Sequence, residues 1–185
     1  MIKRRLIKLF IFLLSAGVII SVLFSIFYLK QYLCYDIRNF KGQGEISDLG
    51  PWTYPRYLIT FDEIDLNGSG QHEIVVKGLP SVELTFCFLM RGDCQQEFVR
   101  TSKSNIRVSF TDNKDRVISS ASAPAPEWVF SQSARETILW HPECRDIRFI
   151  PNKTYTLRIE IEADDNSTRS LPARPFLRGG GLELP

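Results

Sequence analysis

Charge is missing from one long stretch of this chain. No Asp, Glu, Lys, Arg or His falls between Lys8 and Lys30. Histidine is scarce as well, with two in 185 residues. That leaves little material for a Ser/His/Asp relay or a multi-histidine metal site. No Gly-x-Ser-x-Gly elbow, Gly-x-x-x-x-Gly-Lys loop or Gly-x-Gly-x-x-Gly turn occurs, which removes the usual signals of an α/β-hydrolase nucleophile and of phosphate cradles. No Cys-x-x-Cys pair is present to pre-orient a zinc ion. Net charge is only +2, without a block of like charge, which argues against nucleic acid as a partner. No internal repeat is visible, and no motif is specific enough to place the chain in a family.

The uncharged stretch, residues 9–29, is apolar all the way round, from Phe10-Ile11-Phe12-Leu13-Leu14 to Val22-Leu23-Phe24 and Ile26-Phe27. As a helix it would be about 31 Å long, close to the hydrocarbon thickness of a bilayer. A secretory signal has a shorter apolar core followed by a small-x-small cleavage site. Here the best small cluster, Ser15-Ala16-Gly17, lies inside the run. The stretch therefore reads as an uncleaved signal anchor in contact with membrane lipid. Tyr28 and Tyr32 beside Lys30 suit the interface. Lys3, Arg4, Arg5 and Lys8 crowd the first eight residues, which sets residues 1–8 in the cytoplasm and the rest outside, preferably in a bacterial periplasm.

Residues 30–56, with Gly42, Gly44, Gly50, Pro51 and Pro55, read as a stalk and entry segment. Residues 57–185 are long enough for one domain with its own core. Their pattern is mostly period two. Tyr57, Ile59 and Phe61 share a side. Asn67-Gly68-Ser69-Gly70 turns the chain into a returning strand HEIVV, as a hairpin would. Val82, Leu84, Phe86, Phe88 and Met90 alternate with Glu83, Thr85, Cys87 and Leu89. NIRVSF and RVISSAS flank a polar hairpin loop at residues 111–115. Tyr155, Leu157, Ile159 and Ile161 alternate with Thr156, Arg158, Glu160 and Glu162. ARPFLRG and LEL close the series. One short helix is expected, from the Ser133-Ala134-Arg135-Glu136 capping box into Ile138-Leu139. Regularly spaced strands with turn signals between them indicate an all-β sandwich of immunoglobulin-like or jelly-roll type, preceded by one transmembrane helix.

Four cysteines, Cys34, Cys87, Cys94 and Cys144, would meet an oxidising exterior. Cys94 and Cys144 both fall in loop-like sequence and are the preferred disulfide pair. A Cys₃His zinc site from Cys87, Cys94, His141 and Cys144 is the competing reading, weakened by its spacing. His141 with Cys144 or Glu143 is the one cluster that suggests hydrolytic or metal chemistry, and it lacks a supporting motif, so no catalytic residue, cofactor or metal ligand is assigned.

Binding is the better expectation. Trp52, Trp128 and Trp140 sit in or near loops and could stack on a glycan or anchor a protein contact, or else plug the fold. The tail Arg178-Gly179-Gly180-Gly181-Leu182-Glu183-Leu184 could add to a partner's strand edge, or else end the domain's own sheet. Sequons begin at Asn67, Asn152 and Asn166, all in turn-like sequence. The sequence thus reads as a membrane-anchored, non-catalytic binding or assembly module of the cell envelope with a protein partner. A carbohydrate-binding sandwich is second.

Overall fold

A computed structural model of the chain describes residues 36–50, 53–91, 101–132, 136–163 and 170–180, together with residues 17, 18 and 20–22. The chain divides into two compact units, Met1–Tyr35 and Asp36–Pro185. In the first, the described residues are helical and exposed. The expected membrane helix lies largely outside the described residues. Among those described, no helix is long and apolar enough to cross a membrane.

The second unit is built of two antiparallel sheets. Its strands are β1 (Lys41–Gly42), β2 (Glu45–Asp48), β3 (Tyr57–Thr60), β4 (Ile64–Asp65), β5 (Gly70–Lys77), β6 (Glu83–Arg91) and β7 (Asn105–Asp112). They continue with β8 (Val117–Pro124), β9 (Val129–Gln132), β10 (Glu136–Trp140), β11 (Ile147–Arg148), β12 (Thr154–Glu162) and β13 (Pro172–Gly179). Sheet I has the order β1-β5-β12-β7-β8. Sheet II has the order β2-β3-β13-β6-β10-β9, with β4 beside β13 and β11 beside β6. Residues 36–50, read from the sequence as stalk, carry β1 and β2 and belong to this unit.

The pairing is nested. β7 pairs with β8, β6 with β10 and β11, β5 with β12, and β3 with β4 both lie against β13. The chain therefore folds back on itself around the loop after Asp112 and lies alternately in one sheet and the other. Asp112 fixes that loop. Its carboxylate accepts from the backbone N–H of Lys114 (2.9 Å) and from the Arg116 guanidinium (3.0 and 2.6 Å). The Arg116 guanidinium and these N–H donors hold the Asp112 carboxyl at about 2, well below the usual carboxylate range.

Two sequence expectations need correction. Asn67-Gly68-Ser69 makes the expected turn, but β4 and β5 do not pair; the chain crosses from sheet II to sheet I there. Asp65 ties the crossing down by accepting from the N–H of Asn67 (2.9 Å) and of Leu171 (2.7 Å). The short helix expected to lead into Ile138-Leu139 is also wrong where it can be seen. Glu136–Trp140 is strand β10, its register running Thr137 to Met90 and Leu139 to Phe88. β-branched Thr137 and Ile138 suit a strand between two partners, and burial of Thr137 and Leu139 outweighs local helix signals. Ser133 to Arg135 lie outside the described residues.

Period-two alternation places the core between the sheets. Sheet I contributes Val76, Ile106, Val108, Phe110, Tyr155, Leu157 and Ile159, and sheet II contributes Tyr57, Ile59, Leu84, Phe86, Phe88, Met90, Leu139 and Leu177, all buried. A chain of rings runs through it. Trp128 lies 5.6 Å from Phe88, Phe88 lies 5.0 Å from Phe86, and Phe86 lies 5.7 Å from Phe110. Phe110 then meets Phe149, which meets Tyr155 at 5.0 Å. These edge-to-face and tilted contacts are the favourable arrangements for aromatic quadrupoles. Gly179 is required where β13 crosses β6: a Cβ there would overlap the Glu83 carbonyl.

Candidate interaction face on the second sheet

The register of sheet II also fixes what faces away from the core. Phe176 of β13 stands opposite Cys87 of β6, which stands opposite Trp140 of β10, which stands opposite Val129 of β9. A second outward row runs Arg174, Leu89, Ile138 and Ser131, and a third runs Leu58, Arg178 and Thr85. The outward side of this sheet is thus apolar through its middle. Phe176 is 5% exposed and Cys87 fully buried, while Leu58, Leu89, Ile138 and Trp140 are half-buried and Val129 exposed.

Arginines surround the apolar row. On the rim, Arg91 pairs with Glu136 (3.4 Å), Arg148 with Glu83 (2.6 Å) and Arg145 with Asp146 (3.1 Å). The Arg145 guanidinium also lies 6.0 Å from the centre of the Trp140 ring, at the limit for a cation–π attraction. Arg174 and Arg178 flank Phe176 on β13, and neither is paired with a carboxylate among the described residues. Arg178 instead lies against the Cys87 sulfur.

Sheet I presents the opposite picture. Its outward rows are Gln71, Glu160, Arg107 and Ser122, then Glu73, Arg158, Ser109 and Ser120. Exposed ion pairs join Arg107 to Glu160 (2.8 Å) and Arg158 to Glu73 (3.1 Å). That face is an ordinary solvated one. Its apolar members, Val75, Val117 and Ile118, lie near the β7–β8 loop end.

The residues singled out in the sequence separate on this geometry. Trp128 is a core residue, 2% exposed, whose indole N–H donates to the Ala123 carbonyl at 3.3 Å. Trp140 is no plug; it lies on the outward side of β10, beside Cys87. Trp52 lies outside the described residues. Arg178 and Gly179 belong to β13, held between β3 and β6, so they are not part of a free tail. Gly180 ends the strand at φ +65°, a conformation that favours glycine, and its carbonyl accepts from the Arg56 N–H. Gly181 and the residues after it lie outside the described residues. Of the sequons, Asn67 is half-buried and Asn152 exposed at φ +64°, and Asn166 lies outside.

Cys144 is a free, buried thiol and does not form the expected bridge to Cys94, which lies outside the described residues together with Cys34. The Ser119 hydroxyl donates to the Glu143 carbonyl at 2.7 Å and lies 3.8 Å from the Cys144 sulfur. Burial pushes the Cys144 thiol up to about 11, against the lowering contact with Ser119. Burial likewise pushes Cys87 up to about 12, although Arg178 opposes it. Both thiols are protonated at neutral pH, and a protonated thiol is a poor nucleophile.

His141 caps the turn Pro142–Cys144 by accepting from the Glu143 N–H at 3.3 Å, with its ring edge-on to Trp128 at 5.4 Å. Its Nδ1 lone pair is occupied by that cap. Among the described residues, no group of three or more His, Cys, Asp or Glu side chains is placed to hold a metal ion. His141 Nδ1 also lies 3.9 Å from a carboxylate oxygen of the exposed Glu143 in the same turn.

The outward row of sheet II was legible only in part. Cys87 and Leu89 stand out as apolar residues on the polar phase of β6. Ile138 and Leu139 fall in the expected short helix, and Trp140 reads from the sequence as a residue in or near a loop. The missed signal is three consecutive apolar residues in a short strand, which put apolar side chains on both faces. No family model and no curated protein matches the chain.

Proposed function

We propose that this chain is a single-pass membrane protein that displays a non-catalytic binding or assembly module outside the cytoplasmic membrane. The observation that carries the binding part is the unequal dressing of the two sheets. A sheet face that only meets water has no need of the half-buried Leu58, Leu89, Ile138 and Trp140 and the exposed Val129 together, and exposed apolar side chains grouped in this way support a contact site. Residues 9–29 support the anchor by their length and lack of charge, and the basic residues before them support an inward N-terminus. In this reading the preferred home is a bacterial inner membrane facing the periplasm.

The nested strand order supports a jelly roll over an immunoglobulin-like sandwich. Four antiparallel strand pairs wrapped together put β3/β4, β13, β6 and β10 in one sheet and β5, β12, β7 and β8 in the other. That is the double Greek-key arrangement.

A protein partner is the first reading for the face. A glycan is second, supported by the half-exposed Trp140, the outward-facing one of the two described tryptophans. The proposal is tested by purifying the full-length chain from its host in mild detergent after chemical cross-linking. A discrete partner that is recovered with the chain, resists alkaline extraction of the membrane and is lost in Ile138→Asp supports it. Release of the chain by alkaline carbonate, or a partner indifferent to Ile138→Asp, contradicts it.

A further inference from the structure

Exposed apolar residues divide unequally between the two ends of the sandwich. One end gathers the finish of β5 at Lys77, the start of β6 at Glu83, the β7–β8 loop and the start of β12 at Thr154. Gly179 of β13 meets Leu84 and Tyr57 there. Nine large apolar side chains of the second unit are exposed among the described residues, and two of them, Val129 and Phe130, lie on β9. The other seven are at this one end. Ile37, Leu49 and Tyr54 belong to the segment that enters the fold. Val75, Val117 and Ile118 finish the outward side of sheet I, and Ile150 opens the turn before β12. Val117 and Ile150 are the most open, at 62% and 55%.

Lysine follows the same division. Of the described lysines, Lys41, Lys77, Lys114 and Lys153 are at this end and Lys103 is at the other, beside the exposed Asp62, Glu63 and Glu162. Arginines near the four lysines are already engaged, Arg38 with Asp36, Arg56 with Asp48 and Arg116 with Asp112. None of the lysines forms an ion pair with a described residue. Lys41 and Lys77 stand directly opposite each other in the β1–β5 register, and like charges so placed repel until an anion joins them. Exposed apolar side chains interleaved with lysine suit a membrane surface. The apolar groups enter the interface, while the lysine stems cross it and carry their ammonium groups to lipid phosphates.

The path of the chain agrees. The second unit starts at Asp36, and the pairing of Lys41 with Lys77 puts that start at the same end. Residues 30–35 are all that separate it from the uncharged run 9–29, and a segment of that length spans at most about 20 Å. We propose that this end of the sandwich rests on an anionic bilayer surface, with Lys41, Lys77, Lys114 and Lys153 on lipid phosphates and Val117, Ile118 and Ile150 in the interface. The inference rests on the anchor reading of residues 9–29. It leaves the middle of sheet I, around Ser109, in water and sheet II open to a partner.

The test uses the full-length chain reconstituted in vesicles of phosphatidylcholine with about 30% phosphatidylglycerol. A photo-reactive amino acid replaces Ile150 in one variant and Asp62, at the opposite end, in another. Illumination should give a lipid adduct at position 150, read by mass, roughly five-fold or more above that at position 62. The adduct should fall roughly three-fold or more in phosphatidylcholine alone, in about 500 mM salt, and when Lys77→Glu/Lys114→Glu is added. Unchanged near-ultraviolet circular dichroism in every variant excludes misfolding.

Alkaline carbonate is then applied to the same vesicles. Release of the chain defeats the anchor reading and this inference with it. A chain that is retained but gives equal adducts at the two positions, or none at position 150, overturns this inference alone. An adduct at position 150 that is indifferent to phosphatidylglycerol, salt and lysine reversal also overturns it, because the short tether then accounts for it. The same variant illuminated in its host should acquire lipid. A protein adduct in place of lipid there overturns the proposal in favour of an acidic partner.

Discussion

The two outward faces of this sandwich share one backbone logic and differ in what fills it. On the central strand of sheet I, β12, the outward positions are Thr156, Arg158 and Glu160. On the central strands of sheet II, β13 and β6, they are Arg174, Phe176 and Arg178, and Thr85, Cys87 and Leu89. Strand alternation demands apolar residues only on the core side. What lies on the other side is free to respond to what it meets. Sheet I is polar and ion-paired through its middle, with the exposed Val75, Val117 and Ile118 at one end. Sheet II carries a row that water alone does not explain, and its ion pairs are pushed to the rim.

The sharpest way to break the comparison is to place the same charge on both faces. Phe176→Asp should lower unfolding stability by about 3–4 kcal/mol, because it removes a buried ring and leaves a carboxylate in its site. Thr156→Asp, at the matching centre of sheet I, should change it by less than about 0.5 kcal/mol. Urea denaturation of the two variants reads both. Equal losses would mean that the faces do not differ as described.

Ion pairs give the next largest contrast. Arg56, whose side chain is 4% exposed, holds Asp48 of β2 through two bonds of 2.9–3.0 Å and lies 4.7 Å from the centre of the Tyr57 ring. Arg56→Ala should cost about 2–3 kcal/mol, since it empties a buried side-chain site and breaks the pair with Asp48, which keeps only the Gly50 N–H among the described residues. Arg107→Ala, which breaks the exposed pair with Glu160 on sheet I, should cost no more than about 1 kcal/mol including lost packing. Thermal unfolding distinguishes the two.

A smaller effect concerns acid. Asp112 is held at about 2 in the folded chain, against about 4 when unfolded. A depressed carboxylate contributes stability above its unfolded value and loses it as pH falls through the folded one. The Asp112 contribution should therefore be complete above pH 4 and fade between about pH 4 and pH 2. In Asp112→Asn that part of the acid-unfolding curve should be flatter. If wild type and variant lose stability in parallel over that window, Asp112 is not held as described.

Much of the fold could be read from the sequence, for physical reasons that also explain the failures. β6, β12 and the β7–β8 hairpin each show period-two alternation over eight or nine residues, long enough to be unambiguous. The β4–β5 turn was recognised by its Asn, Gly and Ser, but turn chemistry does not record whether the flanking strands pair or part. β10 was missed because a Ser-x-x-Glu signal reads the same ahead of a helix or a strand, and only the register with β6 decides. Trp128 and Trp140 were indistinguishable as tryptophans near loops. One fills the core and the other faces outward, a distinction set by contacts made across the sheets.

The central claim is that sheet II faces a partner and sheet I faces water. Its most direct test is a photo-reactive amino acid placed at Ile138 in one variant of the full-length chain and at Ser109 in another, each expressed in its host and illuminated. The account predicts a discrete cross-linked protein at position 138 and none at position 109. A cross-link of equal yield at both positions, or one at position 109 alone, would contradict it.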